Sequence, residues 1–343
     1  MSNSSTVSTQ SRRSFFKMTA AGATMAIPGF ALMNGPEIAF AESKPSINDG
    51  DVAVLQFLAA AELLESDLWE QYSELATNNP GYRNALQKID ESLPDYIRGN
   101  LEDERSHAAF INAFLVAAGK TPVNLDPFRT LPSVPVEGAK NIGRLTNLTN
   151  LTIDTGFYRR YRQAGNPDFG DTFPQIVKII NQPTVPTSES IRGEKLHAIA
   201  QTAAFHFAAI EQGGSSLYNS FMTKVTSLDV VAILASIGPM EVYHFAVFQT
   251  ALEGIRKLED HDGPNFPDIR ENPNRGDIMP EPCTFQDKSL PVCSVIRPRN
   301  TNTAGAVAAA TSLLNSGLFQ GQSQAFFDAV VPLAEAADAA SRN

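Results

Sequence analysis

No stretch of about 18 uninterrupted apolar residues occurs in this chain, which excludes a polytopic membrane protein. Basic residues are outnumbered, 27 Lys and Arg against 37 Asp and Glu, and no basic block lies beyond the first twenty positions. The resulting net charge of −10 points to cationic partners and away from nucleic acid. Cysteine is scarce: Cys283 and Cys293 have no second pair nearby with which to build a thiolate metal cage. Strand patterning is missing as well, since no run of alternating apolar and polar residues competes with the helical periodicity. With 43% apolar and 19% charged residues over 343 positions, what is left is a soluble globular chain, enough for one large domain or two ordinary ones.

The first positions read as an address. Ser11-Arg12-Arg13-Ser14-Phe15-Phe16-Lys17 precedes a weakly apolar stretch, Met18 to Met33, and then the small-x-small triplet Ala39-Phe40-Ala41. The pattern resembles a bacterial twin-arginine signal, with Phe16 where leucine is commoner. The resemblance implies recognition by the twin-arginine export machinery, cleavage after Ala41 and a periplasmic or extracellular location without a stable membrane span. It also implies passage in the folded state, often with a metal or cofactor already inserted. Residues 1–41 carry a net +2 from Arg12, Arg13, Lys17 and Glu37, so the mature chain is more acidic still, at −12. In an oxidising compartment Cys283 and Cys293, ten residues apart in a proline-rich segment, are expected to form a disulfide. The Asn-x-Thr triplets at Asn147 and Asn150 mean little in such a context.

Helical periodicity recurs in four long segments. From Asp51 to Leu75 the positions Leu55, Leu58, Leu64, Leu68, Trp69, Tyr72 and Leu75 keep helical spacing behind an N-cap at Asn48 or Asp49. Asn78-Asn79-Pro80-Gly81 breaks the pattern, and a second main segment runs from Ser92, with Pro94 in its first turn, to Ala118-Gly119. A third covers Glu194 to Met222, and a fourth about Leu228 to Leu258, with Ser227 as N-cap. Between the two pairs lies an insertion, 120–193, rich in Pro, Gly, Asn and Thr, in which only short helices such as Asn147–Gln163 and Phe173–Ile180 are expected. Residues 259–302 read as an extended segment, and the alanine-rich 303–343 as one or two terminal helices. The architecture predicted is all-α: two helical hairpins over 51–258, joined by a long crossover and followed by a helical extension.

Chemistry is carried by acids and imidazoles placed inside these helices. The second segment contains Glu104-Arg105-Ser106-His107 and the fourth Glu241-Val242-Tyr243-His244, and residues three apart share a helix face. The first and third each set an acid in apolar surroundings, Glu62 and Glu211, where a carboxylate is costly unless paired or metal-bound. An aromatic follows each by seven residues, Trp69 and Tyr218, so the two halves read as a duplicated pattern. Counted from the adjoining hairpin turns, Glu62 and Glu104 lie at ~21 and ~18 Å, and Glu211 and Glu241 at ~20 and ~21 Å, so all four reach one layer.

One Glu from each of two helices and Glu-x-x-His from each of the other two is the pattern of the di-iron and di-manganese carboxylate proteins. Over about residues 51–258 the sequence resembles the ferritin-like superfamily, most of all its exported, desiccation-related branch; the crossover and the C-terminal extension depart from the family pattern. The resemblance implies a ferritin-like four-helix bundle holding two iron or two manganese ions, or one of each. Glu62 and Glu211 would then be terminal ligands, Glu104 and Glu241 bridging ligands, and His107 and His244 ligands to one metal each. Redox chemistry with O2 or H2O2 follows as the expected activity, whether oxidase, ferroxidase or detoxifying. The alternative is a protective or structural protein of the desiccation-stress type, with or without metal, that performs no turnover. A small homo-oligomer fits better than a storage cage, which the insertion and extension would obstruct.

Several residues compete for notice. Glu65 rivals Glu62, one turn further on. A third Glu-x-x-His, Glu194 to His197, lies on the order of 20 Å along the helix from Glu211 and reads as decoration. His206, Trp69, Tyr72, Tyr218 and Tyr243 read first as packing residues.

Overall fold

In the computed structural model the residues described are 45–160, 174–259, 262–272, 282–284, 287–295 and 305–342. The twin-arginine segment and its cleavage site lie outside them.

The first helix, α1 (Asp49–Asn78), starts on a reciprocal cap: the Asn48 side chain accepts from Asp51 N at 2.8 Å, and the Asp51 carboxylate accepts from Asn48 N at 3.3 Å. Asn79 closes α1 and caps the short α2 (Pro80–Gln87) by accepting from Tyr82 N, with proline at the first helical position. α3 (Leu93–Ala117) returns along α1. The second hairpin is α5 (Gly193–Phe221) and α6 (Leu228–Ala251). Ser227 precedes α6 but makes no side-chain cap; Asp51, from the first turn of α1, accepts from Thr226 N at 2.7 Å and Ser227 N at 3.2 Å instead. One carboxylate thereby serves two helix starts, one from each hairpin.

α6 stops seven residues short of the predicted Leu258, running into a 3-10 turn at Leu252–Gly254. There the backbone presses on the α2–α3 connection: a Cβ at Gly254 would lie 1.8 Å from the Ile89 carbonyl oxygen. Only glycine permits that approach.

The insertion departs from expectation. Residues 147–150 are irregular, and among the described residues of the expected Asn147–Gln163 helix only α4 (Phe157–Arg160) is helical; β1 (Leu151–Ile153) pairs antiparallel with β2 (Ile179–Gln182), so the helix expected over Phe173–Ile180 gives way to irregular chain and a strand over its described residues. Strands of three and four residues are too short to show an alternation in sequence, and Asn181 at φ 51° bends the second. Residues 129–146 of the insertion are pinned onto α1. Buried Asp67 accepts from Leu145 N, Thr146 N, Thr146 Oγ1 and Gln71 Nε2 and pairs with Arg129 at 2.6 Å. Fully buried Arg144 donates to Glu74 and to Ser133 Oγ.

Near the C-terminus, α7 (Ala306–Asn315) and α8 (Gln324–Ala339) pack together, and α8 lies along α1. Asp338 accepts from Ala306 N and Val307 N, 2.9 Å each, capping α7 from α8. The disulfide expected between Cys283 and Cys293 is not formed; both are free thiols. What joins them is backbone: each N–H donates to the other's carbonyl at 2.9 Å.

Apolar packing divides into two clusters. One gathers Val54 to Ala59 of α1, Ile111 and Leu115 of α3, Leu217 to Phe221 of α5 and Val230 to Ile237 of α6. The other takes the opposite halves of the same helices, including Leu64, Leu68, Leu101, Phe207, Phe245 and Phe248. Between them every bundle helix contributes polar side chains, and these form the site.

Candidate metal centre

The structure brings Glu62, Glu104, His107, Glu211, Glu241 and His244 into that dividing layer, all buried. They form two overlapping groups whose ligand atoms lie within 4.8 Å of one another: Glu62, Glu104, His107 and Glu241, and Glu104, Glu211, Glu241 and His244. Glu104 and Glu241 belong to both. The helical repeat puts Glu104 beside His107 and Glu241 beside His244, and antiparallel pairing within each hairpin sets Glu62 and Glu211 at the same depth.

His107 turns Nδ1 toward three carboxylates: Glu104 Oε2 at 3.2 Å, Glu241 Oε1 at 3.2 Å and Glu62 Oε2 at 3.4 Å. His244 places Nδ1 3.1 Å from Glu104 Oε1 and 3.4 Å from Glu211 Oε2. The two rings stand 6.2 Å apart, centroid to centroid. Despite this crowding, Glu62 Oε2, Glu211 Oε2, both Glu241 oxygens and His244 Nδ1 have no hydrogen-bond partner. Buried acceptors without donors are costly, and a cation held among them would supply what the protein does not.

Electrostatics tell the same story. Burial, then Glu241, Glu211 and Glu62, push the Glu104 carboxyl well above the usual range; burial and Glu62 push Glu241 up to about 7. Burial works against a charged His107, but contacts with Glu104, Glu241 and Glu62 outweigh it and carry the imidazole up to about 12. His244 moves in the same direction against its own burial, through Asp103, Glu104 and Glu211. The metal-free protein thus gathers protons where the carboxylates concentrate negative charge.

Neighbouring side chains hold the cluster. Asn100, one turn before Glu104, donates through Nδ2 to Glu104 Oε1 and Glu211 Oε1, 2.9 Å each. Tyr218 donates to Glu62 Oε1, and Asp103 Oδ2 lies 3.0 Å from His244 Nε2. At Gly214 the helix leaves space for the Glu241 carboxylate. Asn100, Asp103 and Gly214 are not among the residues that the sequence pattern singles out. Their offsets from Glu104 and Glu211 are visible in the sequence, but apart from the Asn100–Glu104 bond within α3 their partners, Glu211, His244 and Glu241, sit on other helices.

Glu65 belongs to neither group; burial and then Glu104, Glu241, Glu211 and Glu62 raise its carboxyl well above the ordinary value. His206 is buried against the Tyr72 hydroxyl, away from the cluster, and His197 meets Lys88. Trp69 stacks on Phe248 as a packing residue, whereas Tyr243, also expected to pack, is 52% exposed. Tyr243 lies two residues beyond Glu241, so it points away from the face that carries Glu241 and His244.

Fold and site together define a four-helix bundle whose interior carries a carboxylate and histidine cluster that can hold metal ions. The model of the ferritin-like domain family matches residues 50–254, and the chain belongs to that family. No curated protein and no solved structure matches it.

Proposed function

We propose that these six residues bind two iron or manganese ions and that the chain is an exported oxidoreductase acting on O2 or H2O2. Glu62 and His107 would hold one ion and Glu211 and His244 the other, with Glu104 and Glu241 shared. The observation that carries this reading is the set of orphaned, buried oxygens and the His244 nitrogen converging from four helices. Their chemistry fits: carboxylates with imidazole favour iron and manganese over soft, thiolate-seeking metals. When bound, such a pair supplies one-electron steps toward an oxygen species reached by both ions. The protein's own residues orient the carboxylates through Asn100 and Tyr218, and the apolar clusters on either side exclude water. Export is supported by Arg12-Arg13 and by the triplet Ala39 to Ala41.

Metal content of the natively exported mature chain, by plasma mass spectrometry, tests the centre. Two iron or manganese ions per chain are expected, falling to one or none in Glu62→Ala and Glu241→Ala. A wild type that refuses both metals overturns the reading. Oxygen-dependent Fe(II) oxidation continuing beyond two ions per chain would establish turnover; bound metal without it would favour the protective alternative. For export, an Arg12→Lys/Arg13→Lys variant should remain uncleaved in the cytoplasm, and unchanged processing would refute the twin-arginine route.

A further inference from the structure

The duplicated halves match at the six cluster residues and differ beside them. Around Glu104 the chain reads Asn100-Leu101-Glu102-Asp103-Glu104-Arg105-Ser106-His107; around Glu241 it reads Ile237-Gly238-Pro239-Met240-Glu241-Val242-Tyr243-His244. One residue before the shared glutamate, Asp103 on α3 reaches across to His244 Nε2 at 3.0 Å. The same offset on α6 is Met240, which offers no oxygen, and among the described residues nothing hydrogen-bonds His107 Nε2. Four residues before it, Asn100 ties Glu104 to Glu211, whereas the equivalent Ile237 is apolar. Tyr218 on Glu62 offsets part of this difference, because it gives that carboxylate one donor just as Asn100 gives Glu211 one. The imbalance left is at the imidazoles and at Glu104, whose Oε1 is held on the Glu211 side.

We propose that the two metal positions are unequal by construction: the Glu211/His244 position is pre-organised by Asp103 and Asn100 and fills first, and the Glu62/His107 position fills second. The inference rests on the two-metal reading of the site. Its physical basis is that a carboxylate on the distal nitrogen fixes a ligating histidine's ring orientation and tautomer and makes it a stronger donor. Asp103 and Asn100 are therefore positioning residues. Met240, 39% exposed, stands on α6 at the sequence offset that Asp103 holds on α3.

Mn(II), which binds without oxidation chemistry, is the probe, followed by native mass spectrometry and calorimetry on the mature full-length chain. The wild type should accumulate a one-ion form before the two-ion form. Glu62→Ala should keep the tight ion and Glu211→Ala should lose it. Asp103→Leu should weaken the first step roughly 10- to 100-fold and narrow the gap, with Asp103→Asn, which keeps an acceptor, restoring part of it. Met240→Asp, a surface change that should leave folding intact, should tighten the second step. Two steps of equal intrinsic affinity in the wild type, or a gap unmoved by both Asp103→Leu and Met240→Asp, would overturn the inequality while leaving a two-metal centre standing. A chain that takes up no Mn(II) or Fe(II) overturns that centre and the inequality with it.

Discussion

Gly214 shows how little room the centre has. A Cβ there would lie 2.3 Å from Glu241 Oε2, inside any tolerable contact, so the shared carboxylate would have to leave its place. Gly214→Ala is expected to destabilise the fold by about 1–3 kcal/mol through overpacking and to lower metal content, both measurable on one preparation by thermal melting and elemental analysis. Unchanged metal content would mean that Glu241 does not need its present position. Away from the centre, Tyr72 OH lies 2.7 Å from both Thr184 Oγ1 and His206 Nδ1, and burial lowers the His206 pKa to about 3. Between pH 6.5 and 3 the unfolded chain takes a proton at this residue and the folded chain does not, so stability falls as pH falls. The loss from His206 alone is about 2 kcal/mol between pH 7 and 5. Urea midpoints over that range should show a shallower acid limb in His206→Asn than in the wild type; identical slopes would remove His206 as the cause. At this scale the sequence was legible wherever a residue's role followed from its own helix. Glu62 could be preferred to Glu65 because its neighbours are apolar and Trp69 follows at seven. Asn100 and Asp103 were not legible, because each acquires its meaning from a carboxylate or imidazole on another helix.

Among the elements, the four long helices were readable from periodicity, α1 from its cap as well, and the insertion was not. Its order comes from contacts with α1 that no local pattern encodes. Asp67 accepts from two backbone N–H groups of the insertion while pairing with Arg129, and buried Arg144 reaches back to Glu74. Asp67→Ala leaves those N–H groups without their acceptor and the Arg129 guanidinium with Asp126 alone. The expected loss is about 3–5 kcal/mol, read from urea unfolding, with faster proteolysis between residues 120 and 150. If cleavage there is unchanged, the insertion is held by something other than this carboxylate. α6 illustrates the opposite case. It is apolar and long enough by composition to cross a membrane, yet Glu241 and His244 face inward from its middle and its buried side packs on α5. The polar pair explains why so apolar a helix belongs to this bundle.

For the molecule as a whole, the family match ends at residue 254, but the packing does not. Ala306, Ala309, Ala334 and Ala337 share an apolar cluster with Val54, Leu55 and Leu58 of α1. Phe319 and Phe326 join the other cluster, with Phe128 of the insertion against Phe326. Polar contacts fasten the same surfaces: Lys224 to Asp338 at 3.2 Å, Arg342 Nε to the Val225 carbonyl at 2.7 Å, and Gln322 Nε2 to the Leu145 carbonyl at 2.8 Å. Residues 305–342 therefore complete the wall of the bundle, and their alanine-rich composition suits close approach to α1. Removing them would uncover contiguous apolar surface on α1 and on the insertion, the kind of patch that drives aggregation. A chain ending at Leu258 is expected to be recovered mainly in the insoluble fraction, or as large aggregates by size-exclusion chromatography. A soluble, cooperatively melting fragment with the full-length midpoint would show instead that the family domain is self-sufficient. The packing argues against that outcome, because Leu55 and Val54 are fully buried and the C-terminal alanines belong to the cluster that covers them.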